Sequence, residues 1–287
     1  WRPARFAGRV RNAANCLLPN GLWPVIMADV PSLPPAGVMT ELPIVDRAIN
    51  DCAAPLADEL SHWLQAPKNS DPRPLPMTAA EMQARGWDEV DVVLISGDAY
   101  VDHASFAAAI IGRVLEAAGY RVGIVAQPDW RACEPWKEFG RPRLFFGISA
   151  GNMDSMINHY TANRKVRNDD AYSPGGEIGR RPDRATLAYC QRAREAYKGV
   201  PVIAGGVEAS LRRLAHYDYW SDKVKRSILL DAKADAIVYG MGEQTIIEVA
   251  RGLEAGKTLA ELRHLRGVAF ALGAKESEAL HADLVAS

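Results

Sequence analysis

From about residue 75 onward, apolar and polar positions follow two alternating rhythms. Short apolar runs rich in Val and Ile recur at DVVLIS (91–96), RVGIVA (121–126), RLFFGIS (143–149), VPVIAGG (200–206) and DAIVYG (235–240), with GVAFAL (267–272) as a weaker sixth. Runs of this length without in-out alternation are what strands covered on both faces require. Between them the period lengthens to that of a helix. ASFAAAIIGRVLEAAGY places Phe106, Ile110, Val114 and Ala118 in one stripe and offers Gly119 as a left-handed cap. EQTIIEVARGL sets Ile246, Val249, Ala250 and Leu253 on one face. In MTAAEMQARGWDEV, Thr78 with Glu81 three residues on makes a capping box for a short leading helix. Strand and helix in regular alternation predict an α/β fold, Rossmann-like and doubly wound, with a mostly parallel sheet of five or six strands and helices on both faces.

Right-handed crossovers bring the C-terminal ends of parallel strands to one edge, where open α/β sheets bind ligands. The residues delivered there are Ser96, Gly97 and Asp98; Gln127 and Asp129; Ser149, Gly151 and Asn152; Gly205, Gly206 and Glu208; and Gly240, Gly242 and Glu243. Glycine in such turns lets a backbone approach closely, and helices starting there present free N–H groups. Two features depart from this regularity. Residues 1–74 are rich in proline (PSLPPAG, APKNSDPRPLP) and read as a lead-in without a clear pattern. The connection 160–182, YTANRKVRNDDAYSPGGEIGRRP, is longer than the roughly 12–15 residues common inside a domain. It is read as a lid, a contact for another domain, or an ordered surface excursion.

Composition narrows the chemistry. The formal net charge of -1 gives no global field toward nucleic acid or anionic lipid. Residues 160–230, however, hold 14 Lys/Arg against 8 Asp/Glu, a local surplus of +6. Cys16, Cys52, Cys133 and Cys190 lie too far apart for metal-ligand spacing, and Cys190 sits at helical spacing as a small buried side chain. With no disulfide framework and no run of about 20 apolar residues, the expectation is a cytoplasmic chain without a membrane span.

Three stretches carry candidate chemistry. GMGEQT (240–245) has Thr245 where a dinucleotide fingerprint needs its third glycine, and Glu243 would repel a pyrophosphate, which argues against an NAD site. HYDYWSDKVKR (216–226) interleaves His216, Tyr219 and other aromatics with cations, either as a base-stacking surface or as an amphipathic turn pinned by Trp220. In LISGDAYVDHASF (94–106), Asp98, Asp102 and His103 could face the crevice as a base with an orienting carboxylate, and Asp102 reads equally as the N-cap of a helix over 104–118.

Whole phrases also agree with a known family. GWDEVDVVLISGDAYVDHASF, RVGIVAQPDW, LFFGISAGNMDSMINHYTANRK, RRPDRATLAYCQRA and VPVIAGGVEASLRRLAHYDYWSDKVKRSILLDAKADAIVYGMGE closely resemble the N-terminal region of the YgiQ family of radical SAM proteins, over roughly residues 75–272. The resemblance implies a cobalamin-binding-like Rossmann domain at 75–272 and, at 273–287, the start of a linker to a radical SAM barrel of the same full-length protein. That barrel would hold a 4Fe–4S cluster on a CxxxCxxC motif and bind S-adenosylmethionine. None of the four cysteines here has that spacing, so no cluster residue carries over. Cobalamin is a further implied ligand, but domains that ligate cobalt through histidine use a DxHxxG turn, whereas this turn reads DAYVDHASF. Two functions follow as expectations. One is the N-terminal module of such an enzyme, acting on an unidentified small-molecule or macromolecular substrate. The other is a stand-alone module binding cobalamin or a nucleotide-like ligand. The residues expected on the ligand are Asp98, His103, Asn152, Gly205, Gly206, Glu208, His216, Tyr219, Gly240, Gly242 and Glu243.

Overall fold

A computed structural model describes residues 73–273 and 276–277, together with the backbone of 25–27. One compact unit spans Val25–Ala271; Trp1–Pro24 with Leu272–Ser287 form a second, in which the Gly273 N–H donates to the Glu276 carboxylate. The remainder of segment 1–74 and of 273–287 lies outside the described residues, as do Cys16 and Cys52.

In chain order the elements of the larger unit are β1 (Val25–Met27), α1 (Ala79–Ala84), β2 (Val92–Ser96), α2 (Ala107–Ala117), β3 (Val122–Ala126), β4 (Phe145–Ser149), α3 (Ser155–His159), α4 (Ala185–Ala196), β5 (Val202–Gly205), α5 (Gly206–Leu211), β6 (His216–Asp218), β7 (Lys223–Lys225), α6 (Ile228–Ala232), β8 (Ala236–Val238), α7 (Glu243–Glu254) and β9 (Val268–Ala271). Seven strands form a mixed sheet in the order β1-β9-β8-β5-β4-β2-β3, and β6 pairs with β7 in a separate hairpin. From β3 to β8 all pairings are parallel. The chain leaves β2 toward β3 on one side and returns to β4 on the other, so the topological switch falls between β2 and β4.

The five stronger apolar runs become parallel strands as the pattern predicts. The sixth, β9, runs antiparallel to β8. The reason lies in residues 255–267, which carry the chain back from the end of α7, so that the Tyr239 N–H donates to the Gly267 carbonyl beside the end of β8. β9 therefore enters the sheet from the opposite direction. β1, within the proline-rich segment, adds a seventh strand antiparallel to β9.

Alternate residues along each strand feed two apolar layers. Val92, Leu94, Val122, Ile124, Phe145 and Ile203 pack with Leu115 of α2 and Ile246, Ile247, Val249 and Ala250 of α7. Val93, Ile95, Phe146, Ile148, Val202 and Ala204 pack with Tyr189 and Cys190 of α4, Leu229 of α6 and Trp136. Both faces are covered, as strands without alternation demand.

Local signals held in most places. Thr78 Oγ1 accepts from the Glu81 N–H at 3.2 Å while Glu81 accepts from the Thr78 N–H at 3.2 Å, completing the capping box. Gly119 takes φ +96° just past α2. The start of α2 differs from the expectation. It begins at Ala107 with Phe106 as N-cap, and Asp102 instead accepts from Arg113 Nε at 3.1 Å. The cap comes from elsewhere: Asn152 Oδ1 accepts from the Ala107 N–H at 3.4 Å. The fully buried residues of α2 are Ala109, Gly112 and Leu115; of the expected stripe, Val114 and Ala118 are partly buried against the same layer, and Phe106 is the N-cap. Apolar residues cover so much of this helix that periodicity alone leaves its rotation open, and contact with the sheet fixes it.

Candidate functional site

At the switch point, β2 and β4 end in turns that nearly touch. A Cβ on Gly97 would lie 2.1 Å from the Ala150 carbonyl oxygen. Gly151, at φ +107°, would place a Cβ 2.1 Å from the Asp98 carboxylate. Only glycine satisfies both the left-handed backbone and the close approach. Asp98 Oδ2 accepts from the Asn152 N–H at 2.6 Å, and Arg181 Nη1 stands 2.9 Å from Asp98 Oδ1. The same guanidinium donates to the Ala150 carbonyl at 3.1 Å and to both oxygens of Asp170 at 3.2 and 3.1 Å. The Arg181 side chain is fully buried, as are its two carboxylate partners to within a few per cent. Asp170 also accepts from the Tyr172 N–H and the Ser173 hydroxyl, each at 2.9 Å.

This ionic hub fixes the long connection. Ala99 N–H donates to the Tyr172 carbonyl at 2.9 Å, and Gln127 Nε2 donates to Ser173 Oγ at 2.6 Å. Residues 170–181 thus lie over the strand ends at the switch point. Burial pushes the Asp98 carboxyl above its usual range, and the Asn152 N–H and Arg181 offset this only in part. Burial acts in the same direction on Asp170, but there the Tyr172 N–H, Arg181 and Ser173 prevail and hold the carboxyl below its usual range.

Beside the hub, a cavity of about 490 Å³ opens at the strand ends on the face covered by α2 and α7. Its walls are mostly apolar, from Leu94, Ile110, Ile111, Ile203, Val238 and Ile246, with Ser149, Ser210, Asn152 and Glu243 as polar points. It exists because strand positions facing this side are small where they near the edge (Gly147, Ser149, Gly205), and α2 opens with Ala107 and Ala108. Among the described residues, no Lys or Arg lines it. Its volume is in the range of small-molecule sites. The chemistry is that of a slot for an uncharged, apolar or heteroaromatic group. Glu243, in the first turn of α7, suits the helix end but opposes a phosphate there.

The residues singled out from sequence fall in three places. Asn152, Gly205, Gly206, Gly240, Gly242 and Glu243 line the cavity. Asp98 lies in the buried hub next to it. The others stand apart. Glu208 is fully buried; its carboxylate accepts from the Ser155 N–H at 2.8 Å, from the Ser155 hydroxyl and from the Thr186 N–H at 3.0 Å. It thereby caps the first turns of α3 and α4. His216, on β6, donates from Nδ1 to the Leu214 carbonyl at 3.1 Å. Tyr219 is exposed on the hairpin, with its hydroxyl donating to the Ala162 carbonyl at 3.1 Å. His103 is exposed in the turn before α2, and its Nδ1 accepts from the Ser105 N–H at 3.1 Å.

Sequence reasoning missed Arg181 and Asp170. Their only trace was the doubled charges Asp169-Asp170 and Arg180-Arg181 in a stretch otherwise read as loop. Among the described residues, no group of three or more His, Cys, Asp or Glu is arranged to hold a metal ion. Cys190 is buried, with burial pushing its thiol up, and Cys133 is partly exposed. These residues do not fit an iron–sulfur cluster. No described helix is long and apolar enough to cross a membrane.

Comparison with known proteins places the chain. It is 61% identical over 210 residues to a UPF0313 protein of Rhodopseudomonas palustris, covering 73% of this chain and 31% of that protein. It is 57% identical over 219 residues to a UPF0313 protein of Pseudomonas aeruginosa, covering 76% of this chain and 29% of that one. The chain thus spans about a third of the length of the curated relatives it matches. Among solved structures, it is similar to the radical S-adenosylmethionine methyltransferase TsrM from Kitasatospora setae, solved with cobalamin and a 4Fe–4S cluster bound. The TM-score is 0.40 at 15% identity, over 62% of this chain and 26% of that one. The family model described as radical SAM N-terminal matches residues 74–286, most of the sequence. In agreement with its YgiQ-like phrases, the chain belongs to the radical SAM N-terminal family.

Proposed function

We propose that this chain is the N-terminal module of a radical SAM enzyme, and that its strand-end crevice faces the barrel of the same full-length protein or that barrel's substrate. The observation that carries the reading is the family match over most of the chain, which covers about a third of the length of its relatives. A cluster held by that barrel would supply the electron for reductive cleavage of S-adenosylmethionine, and no residue described in this chain would hold it. What this chain contributes is a rigid edge held by Asp98, Arg181 and Asp170, and beside it an apolar slot.

Anaerobic reconstitution tests the proposal. The full-length protein should take up iron and sulfide and release 5′-deoxyadenosine from S-adenosylmethionine, whereas the 287-residue chain alone should do neither. Met241, 86% exposed at the cavity rim, supplies the second readout. In the full-length protein, Met241→Cys carrying a thiol-linked benzophenone should photo-cross-link to the C-terminal region. A full-length protein that binds no iron would end the assignment, and absence of that cross-link would remove the crevice from the interface.

The cavity itself favours a second reading, a binding module for cobalamin or a nucleotide-like ligand. Its shape and lining suit a heteroaromatic group. The fit is incomplete in two respects: among the described residues no cation lines the cavity for a phosphate, and His103 lies outside its lining. A melting-temperature panel of the chain with hydroxocobalamin, adenosine and S-adenosylmethionine decides it. A ligand at about 100 times its Kd should add about 2.7 kcal/mol. No shift with any of the three would remove this reading and leave the barrel-facing one intact.

A further inference from the structure

The hairpin β6–β7 and the start of the long connection form a surface that the strand-end site does not use. Residues 160–166 fold back on themselves, with the Thr161 N–H donating to the Lys165 carbonyl at 2.8 Å and a bridge between Tyr160 and Val166. The hairpin tip packs on this turn: Tyr160 and Trp220 lie 4.5 Å apart between ring centroids, and Arg164 sits 4.6 Å over the Tyr219 ring. Arg164 also donates to the Tyr219 carbonyl at 2.7 Å. Two segments more than 50 residues apart are thereby joined into one fixed platform. On the outward face of the hairpin, Tyr217 pairs across from Val224, and these are 60% and 69% exposed; Tyr219 is 51% exposed.

The charge on this platform has one sign to spare. Lys165, Arg167 and Lys223 are exposed and make no ion pair among the described residues. Asp218 is buried against Arg184 and Ser221, whereas Asp222 and Asp183 accept from the Tyr217 and Tyr160 hydroxyls and keep their charge. Segments 160–167 and 216–225 together still hold five Lys/Arg against two Asp. Exposed rings set among unneutralised cations complement a strand that offers both phosphates and unstacked bases. A duplex hides its base faces, and an acidic peptide offers charge without a face to stack.

From this geometry we propose that the Tyr217–Tyr219 hairpin and the 160–167 turn bind single-stranded nucleic acid. The surface is separate from the apolar cavity, so this inference does not depend on what the cavity holds.

The test uses the 287-residue chain and labelled oligouridylate of about 16 nucleotides, with oligodeoxythymidylate, duplex RNA and polyglutamate of equal length as further arms. The single strands should bind and the duplex and polyglutamate should compete poorly; the two single-strand arms separate RNA from DNA as the source. The double variant Lys165→Ala/Lys223→Ala removes side chains that hold nothing else in place. It should weaken binding about tenfold and flatten the slope of log affinity against log salt by about 1.4, from two lost phosphate contacts. Tyr217→Ala should weaken binding at least fivefold, as loss of one stacked base does, and leave the salt slope unchanged. Circular dichroism should not move in either variant, and melting temperature should not move in the lysine variant. Binding that is absent from the unaltered chain, indifferent to both variants, or matched by polyglutamate would overturn the proposal, the last outcome pointing to an acidic protein partner.

Discussion

Without the Arg181 guanidinium, Asp98 and Asp170 would remain buried with no countercharge. Breaking a buried ion pair from one side costs about 3–5 kcal/mol. Arg181→Met should therefore lower the unfolding free energy obtained from urea titration by about that amount. It should also release the Ala99 amide, which donates to Tyr172, to fast hydrogen exchange, and unchanged protection there would show that the connection is held by other contacts. Asp218 makes a prediction about pH. Its burial alone would raise the carboxyl, but hydrogen bonds from Ser221 and Arg184 and the Arg184 charge hold it well below the usual range. A carboxyl depressed in the folded state contributes stability above its unfolded pKa, near 3.8, and loses it as pH falls toward the folded value. Asp218→Asn should therefore destabilise the chain at pH 7 and lose less on going to pH 3 than the parent. Equal losses in urea titrations at the two pH values would refute this. Asp98 has the opposite sign, since its raised carboxyl contributes most at low pH and loses that contribution as pH rises through its folded value.

At the scale of elements, side chains from one segment repeatedly complete the ends of another. Asn152, after β4, caps α2; Glu208, in α5, satisfies the first turns of α3 and α4. Free N–H groups at a helix start need acceptors, and a carboxylate also suits the positive end of the helix. Glu208→Ala removes one acceptor from three buried donors at once. We expect a loss of about 3 kcal/mol or more, from the desolvation of those donors. For a domain of this size that is a fall of about 6–12 °C in melting temperature. Hydrogen exchange should speed up at Ser155 and Thr186 together; a change at one alone would mean the two helices are not coupled through this carboxylate.

For the larger unit as a whole, the layers divide the labour. The hub and the 170–181 segment close one part of the sheet edge, and the small residues of β4, β5 and α2 leave another part open as the apolar cavity. If that cavity takes a heteroaromatic ligand, filling it from α2 should block binding and spare the fold. Ala108→Trp should abolish any melting-temperature shift given by hydroxocobalamin or adenosine while the ligand-free chain keeps its circular dichroism. A shift that survives the substitution would place the ligand elsewhere.

Much of this was legible before any coordinates. The period of the apolar runs determines the strands and helices, because a strand buried on both faces cannot alternate and a helix on a sheet must carry a stripe. The glycines and polar residues following those runs mark the ligand edge, since parallel strands deliver their C-terminal ends together. Family membership was equally readable, in phrases such as AGGVEASLRR and YGMGE. What pattern could not determine were interactions between residues far apart in the chain. Arg181 meets Asp98 across more than 80 positions, Glu208 serves amide groups 53 and 22 residues before it, and the direction of β9 depends on the path of residues 255–267. Periodicity records which side of an element faces the core. Which ion pairs close, which caps are borrowed and which strand ends stay open are decided only when the layers pack, because those energies depend on burial and distance, and a linear sequence contains neither.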